Sequence, residues 1–186
     1  SALYGPDFQT TISVAKLTAG LCGASRPGHF NGVTTVVALL FHLVKPHLAV
    51  FGAKDYQQAA VIRRMNTDLF FGIEIDVAPI VREPSGLALS SRNSYLSPQE
   101  RAEATVLFQS LRLAEGLVQA GERNAGKITA AMRGLIDGVA SSSIDYIAIV
   151  DPDSLAPVEE IDREVQVLLA VRIGTTRLID NGRIGR

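Results

Sequence analysis

The feature that most constrains this chain is the succession "LAVFG", "KDYQQAAVIRRMNTDL" and "IEIDVAPIV" across residues 48–81. The first piece is a short apolar run ending in glycine, which reads as a buried strand. The second has helical character, with Tyr56, Ala60 and Ile62 or Arg63 near one stripe. The third, Ile73–Val81, alternates and then turns apolar, as a strand does. Ahead of them, Val33–His47 is long enough for a buried helix, and Pro46 ends it. Helix, strand, helix, strand predicts an α/β fold around a parallel sheet. Ligands on such sheets bind beyond the carboxyl ends of the strands. Gly52–Asp55 lies at one such end, and Val81 with Arg82 at another.

The flanks add detail. "SALYGPDFQTTISV" reads as a loop entering a strand, Val14–Gly23 as a weak helix stopped by glycine, and Ala24–Gly32 as a loop. Beyond Pro84 the character changes. "SPQERAEATVLFQSLRLAEGLVQAGE" predicts one helix with Ser97 as N-cap, Pro98 at the first position and Glu100 completing a capping box. Leu107, Leu111, Leu113 and Leu117 fall at helical spacing. A second amphipathic helix follows in "NAGKITAAMRGLIDGVASS". Ser143–Asp151 is a strand, and Arg163–Asn181 a hairpin or bent strand around Gly174. Two helices beside a small antiparallel sheet make an α+β module. The expected domains are therefore residues 1–83 and 84–186.

Composition narrows the function. The 186 residues are 47% hydrophobic and 20% charged, which suits a globular protein with a real core. A net charge of -1 provides no bulk attraction for nucleic acid or an anionic membrane. The longest apolar run, Val33–Val44, is too short to span a bilayer. The single cysteine, Cys22, forms no internal disulfide and no zinc cluster, so a reducing cytoplasm is the simplest compartment. No acidic spacing argues for a metal cage, and Glu159, Glu160, Asp162 and Glu164 read as a solvated acidic loop.

Three constellations remain. In "FGAKDYQQ", Gly52 allows close backbone approach, the following helix start attracts anions, and Lys54 adds a point charge suited to phosphate. Asp55 could accept from ribose hydroxyls, and Gln58 sits one turn along. A strand–turn–helix with a capping aspartate is the plainer account of these residues. In "LALSSRN", Arg92 offers a planar fork, and Ser90 and Ser91 offer hydroxyls. Taken alone, that stretch reads more plainly as a serine-rich turn with Arg92 in solvent. In "ASRPGHFNG", Arg26 and His29 share a loop. His42 reads as a packed core or interface residue. G-x-S-x-G, Walker A, H-E-x-x-H and C-x-x-C are all absent from the sequence.

Taken together, "SRPGHFNGVTTVVALLFHLVKP", "FGAKDYQQAAVIRRM", "VREPSGLALSSRNSYLSPQER" and "RIGTTRLIDN" resemble the pantothenate synthetases, the pantoate–β-alanine ligases, across essentially the whole chain. The resemblance implies a Rossmann-like nucleotidyltransferase sheet followed by a lid-like α+β domain. It implies ATP with Mg2+, pantoate and β-alanine as small-molecule partners, no nucleic acid or membrane partner, a cytoplasmic setting and a homodimer in the full-length enzyme. The implied chemistry is adenylation of pantoate followed by attack of β-alanine. By position, Gly52, Ala53, Lys54 and Asp55 match an ATP segment, and Gln58 matches a glutamine that holds pantoate. Val81 matches a position whose backbone reads adenine. Leu89, Ser90, Ser91 and Arg92 match a mobile phosphate-binding signature. Lys54 and Arg92 are the implied catalytic cations. Arg26 and His29 match a loop near the site.

Two departures accompany the resemblance. Ala53 stands where the family usually has glutamate. The family's His-x-Gly-His signature and second pantoate-binding glutamine do not occur, and Gln9 in "DFQTT" lacks that glutamine's context. The expectation is a C-terminal part of the enzyme, inactive by itself. Its sheet edge would be paired with another chain or copy, or its first segment would be poorly ordered. A non-catalytic nucleotide-phosphate-binding or interaction module is the alternative. An unrelated α/β adenylyltransferase acting on another acid is a third reading.

Overall fold

A computed structural model describes residues 3–185. The chain divides into two compact units between Pro79 and Ile80. The first unit contains α1 (Cys22–Ser25), α2 (His29–Val44), β1 (Leu48–Gly52), a 3-10 turn (Ala53–Asp55), α3 (Tyr56–Asp68) and β2 (Glu74–Ala78). β1 and β2 pair in parallel, from Leu48 opposite Glu74 to Gly52 opposite Ala78. The helix between the strands supplies the crossover that parallel pairing requires. Its reversal into β2 is held by Asn66, whose side chain donates to the Ile73 carbonyl (2.9 Å) and accepts the Ile73 N–H (3.2 Å). The core unites Ala38 and Phe41 of α2 with Ile62 and Met65 of α3 and Ile73. Each pair is spaced three residues apart, one helical turn. Burying Ile62 and Met65 contributes roughly 1.5–3 kcal/mol each.

Several local expectations are corrected here. No strand precedes Leu48 among the described residues. The opening segment is instead tied to α2: the Ile12 N–H donates to Thr35 Oγ1 (3.0 Å) and Thr34 Oγ1 donates to the Ile12 carbonyl (2.5 Å). Of the helix expected over Val14–Gly23, residues 15–21 are a series of turns and only Cys22 and Gly23 are helical, because Thr18 Oγ1 donates to the carbonyls of Val14 and Ala15 and Leu21 sits at φ 56°. The loop expected over Ala24–Gly32 is shorter, since α2 starts at His29 behind Gly28 at φ 77°. α2 is not buried all round: Leu43 and Val44 are 68% and 67% exposed. His42 is exposed against the Phe71 ring rather than packed in the core. In α3 the buried stripe is Gln57, Val61, Ile62 and Met65, and Arg63 faces solvent. On β1, Leu48 and Val50 are 49% and 59% exposed, so one face of this two-stranded sheet stands open.

The second unit contains α4 (Pro98–Glu103), α5 (Val106–Gln119), α6 (Ala125–Asp137), β3 (Ser142–Val150), β4 (Val165–Ile173) and β5 (Thr176–Ile184). β4 is the central strand, antiparallel to both neighbours. Its near-continuous apolar run is buried along its length except at Arg172. The β4–β5 turn needs Gly174, which adopts φ 56° and whose added Cβ would lie 2.0 Å from Glu100 Oε1. The capping box forms as the sequence predicts: Ser97 Oγ accepts the Glu100 N–H, and Glu100 Oε2 accepts the Ser97 N–H. The single helix expected beyond it is broken into α4 and α5 at Ala104–Thr105, where the Thr105 hydroxyl bonds back to the Ala102 carbonyl.

The boundary also moves from the expected Pro84. Residues 80–83 belong to the second unit because Arg82 forms a two-pronged pair with Asp180 of β5 (2.7 and 2.9 Å). Arg82 also stacks 4.5 Å above the Phe108 ring, and Asp180 is 3% exposed. This buried pair orders the segment that leads into "LALSSRN".

Candidate functional site

In the first unit, β1 ends at Gly52 and the chain turns through Ala53–Asp55 into α3. Gly52 is extended (φ -82°, ψ 133°), so its value is space rather than a left-handed backbone: a Cβ built on it meets nothing within 4 Å. Asp55 holds the N-cap position of α3, yet its side chain makes no capping hydrogen bond. The capping account of this aspartate therefore fails. Lys54 lies in the turn itself, and Gln58, half-buried, sits in the first turn of α3. These groups gather at the carboxyl end of a parallel strand and the start of a helix, where free N–H groups and the helix dipole favour an anion.

Gln57, beside Gln58, is the residue that sequence reasoning passed over. It is 5% exposed, and its side chain makes three hydrogen bonds to one upstream segment. Nε2 donates to the carbonyls of Leu17 and Gly20 (2.9 Å each), and Oε1 accepts the Cys22 N–H (3.0 Å). That segment runs into α1 and the Arg26–His29 turn, where Arg26 Nη1 lies 2.9 Å from His29 Nε2. An arginine can only donate, so His29 Nε2 is the acceptor of this bond.

In the second unit, residues 81–89 form a tight reversal: Leu89 N–H donates to the Val81 carbonyl and Glu83 N–H to the Leu87 carbonyl (2.9 Å each). The Val81 carbonyl thus already carries one internal partner. Leu89 is half exposed. Ser90 caps a 3-10 turn, Ser91–Tyr95, by accepting the Arg92 N–H on its hydroxyl (3.2 Å). Ser91 is exposed. The Arg92 guanidinium donates to the Arg177 carbonyl on β5 (3.3 Å). "LSSRN" is therefore an ordered turn docked on the sheet, and Arg92 is not loose in solvent. Arg177 in turn donates to Asp145, which stands at the bulge between Ile144 and Tyr146.

The turn is anchored by residues the sequence did not mark as functional. Asn93, 4% exposed, donates from Nδ2 to Glu83 Oε1 (2.9 Å) and the Ala88 carbonyl (3.1 Å). Glu83 also accepts from Arg101 (2.7 Å). A buried asparagine inside a polar motif signals such an anchor only once its partners are known. The carboxylates with lowered pKa, Asp151, Glu103 and Glu122, lie outside these constellations. Among the described residues no group of three or more His, Cys, Asp or Glu could hold a metal ion, and no helix is long and apolar enough to cross a membrane.

A parallel strand–turn–helix unit with a lysine at the turn, and an antiparallel three-stranded unit carrying a Ser-Ser-Arg turn, define an α/β protein. The family model described as pantoate-beta-alanine ligase matches residues 1–183, and the chain belongs to that family. It is 54% identical over 183 residues to the pantothenate synthetase of Thermotoga neapolitana, covering 98% of this chain and 65% of the relative. Identity to the Roseiflexus sp. (strain RS-1) pantothenate synthetase is also 54%, over 97% of this chain and 65% of that protein. The chain thus spans just under two thirds of the length of these relatives. The crystal structure of pantothenate synthetase from Thermus thermophilus matches with a TM-score of 0.95 and 43% identity, over 99% of this chain and 67% of that one. A pantoate-beta-alanine ligase from Francisella tularensis, complexed with beta-gamma ATP and beta-alanine, matches with a TM-score of 0.71 and 32% identity, over 95% and 59% of the two chains.

Proposed function

We propose that this chain supplies residues for the ATP-dependent condensation of pantoate with β-alanine, through a pantoyl adenylate, with Mg-ATP as substrate. One pantoate carboxylate oxygen attacks the α-phosphorus and pyrophosphate leaves. The β-alanine amine then attacks the acyl carbon, the bond to the bridging oxygen breaks, and AMP leaves with that oxygen. Negative charge redistributes over the phosphates in the first step, so fixed cations and donors lower its barrier. Lys54 at the end of β1 is assigned that neutralising role. Ser90, Ser91 and Arg92 are assigned to ATP phosphates, with Leu89 part of the same turn. Gly52, Ala53 and Asp55 form the ATP segment, and the Val81 backbone is assigned to adenine. Gln58 is assigned to pantoate, and Arg26 and His29 to the vicinity of the site. The second step mainly needs the amine held in line. The relatives are biosynthetic enzymes, and a cytoplasmic homodimer is the setting this reading implies.

The observation that carries the reading is the open approach to Gly52 at the carboxyl end of a parallel strand, with Lys54 in the next turn, in a chain of this family. The 186 residues contain no His-x-Gly-His sequence, and we assign no adenylation to them alone. Pantoate-dependent exchange of labelled pyrophosphate into ATP tests both statements. Exchange is expected only when a His-x-Gly-His-bearing segment of a relative is supplied, and is lost in Lys54→Ala and Arg92→Ala. Exchange by this chain alone would overturn the second statement. Exchange indifferent to pantoate, or supported equally by other hydroxy acids, would overturn the first.

A further inference from the structure

We infer that Gln57 is a positioning residue: it pins the Leu17–Cys22 segment to the first turn of α3, and so fixes where the Arg26–His29 turn stands relative to Gln58. The inference deepens the reading above and rests on it for the identity of the substrate. The observations are local to the first unit. The Gln57 amide is buried and uses both of its ends on one segment: two backbone carbonyls, of Leu17 and Gly20, and one backbone N–H, of Cys22.

Residues 17–21 lie in no helix or strand, with Leu21 at φ 56° and α1 beginning only at Cys22. A buried carbonyl or N–H without a partner is costly, so the glutamine takes the place that a secondary-structure ladder would fill. Four residues after Cys22 comes Arg26, whose guanidinium meets the His29 ring at 2.9 Å. The next residue along α3 from Gln57 is Gln58. One side chain therefore connects the helix start that carries Lys54 and Gln58 to the turn that carries Arg26 and His29. Among the described contacts no other side chain makes three hydrogen bonds to that segment.

Cys22 makes the pinning measurable, because it is the chain's single cysteine, is 9% exposed, and has its own N–H on Gln57. Gln57→Met keeps length and helix propensity but removes all three bonds. Labelling of Cys22 by a small neutral thiol reagent is expected to accelerate about tenfold in Gln57→Met, the effect of losing one or two buried hydrogen bonds. Ile62→Val, which thins the nearby core by one methylene, is expected to leave the rate within about twofold. A wild-type labelling rate in Gln57→Met, or an equal rise in Ile62→Val, would overturn the pinning.

The second readout is the exchange assay described above. Gln57→Met is expected to raise the KM for pantoate about tenfold while the KM for ATP stays within about twofold. If both KM values move together, or neither moves, Gln57 is only a structural residue and the positioning claim fails. If labelling responds as expected but unsubstituted enzyme exchanges pyrophosphate without regard to pantoate, the pinning stands and the substrate reading is what fails.

Discussion

Replacing Asp180 by alanine tests how the "LALSSRN" segment is held. Asp180 receives both prongs of Arg82 and also accepts the Asn181 N–H (2.8 Å), with its side chain 2% exposed. Removing one partner of a buried pair costs roughly 3–5 kcal/mol, mostly from the charge left behind. Arg82 is not wholly abandoned: it keeps the Gly86 carbonyl (3.0 Å), the Phe108 face and 21% side-chain exposure. The loss therefore falls at the low end, about 3 kcal/mol, or about a hundredfold in an opening equilibrium. Native-state hydrogen exchange reads each unit separately. Amides of β4 are expected to exchange about a hundredfold faster in Asp180→Ala, while those of β1 and β2 keep their rates. The double variant Arg82→Met/Asp180→Leu is expected to recover most of the loss, because no charge is then stranded. A change below about fivefold in Asp180→Ala, or a double variant as unstable as the single one, would refute the reasoning.

Three further outcomes follow from the same structure. Gly174→Ala forces a Cβ onto the Glu100 carboxylate at a left-handed backbone position; a loss of about 2 kcal/mol is expected in denaturant titration, part of it restored by adding Glu100→Ala. Asp151 has its pKa lowered from 3.8 to about 2, chiefly by the Ser154 backbone N–H, then by the Ser154 hydroxyl. A carboxylate lowered on folding stabilises the protein above its unfolded value and loses that contribution as pH falls through about 2, so stability should drop more steeply between pH 3.8 and 2 than in Asp151→Asn. Equal slopes in the two proteins would contradict it. Asn93→Ala removes the side-chain donor to the buried Ala88 carbonyl and leaves Glu83 with Arg101 alone, and amides of the Ser91–Tyr95 turn are expected to exchange about tenfold faster, with the first unit unaffected.

Some elements were legible before the structure: β1 from "LAVFG", the capping box at Ser97, and strand structure over Arg163–Asn181 with a hairpin or bend around Gly174, which the structure resolves as the β4–β5 hairpin. What escaped was decided by side-chain-to-backbone bonds, which leave no period in a sequence. Thr18 unmakes the helix expected over Val14–Gly23, and Thr105 breaks α4 from α5. Arg82 pulls the boundary upstream by pairing with a residue near the other end of the chain. The candidate site shows the same division. Residue types suited to phosphate marked Lys54 and Ser90–Arg92, but the supports of those residues, Gln57 and the Asn93–Glu83–Arg101 cluster, read from sequence as ordinary polar positions. In "YQQ", Gln57 and Gln58 are indistinguishable until one of them is seen buried against Leu17, Gly20 and Cys22.

The central claim, that these residues serve an acyl-adenylate ligase, is tested most directly by an oxygen label. Pantoate carrying 18O in both carboxylate oxygens is turned over with ATP and β-alanine by enzyme containing this chain, and the products are analysed by mass. One 18O is expected in AMP and one in the amide carbonyl of the product, with turnover lost in Arg92→Ala. Label in inorganic phosphate accompanied by ADP, or AMP free of label, would contradict the claim.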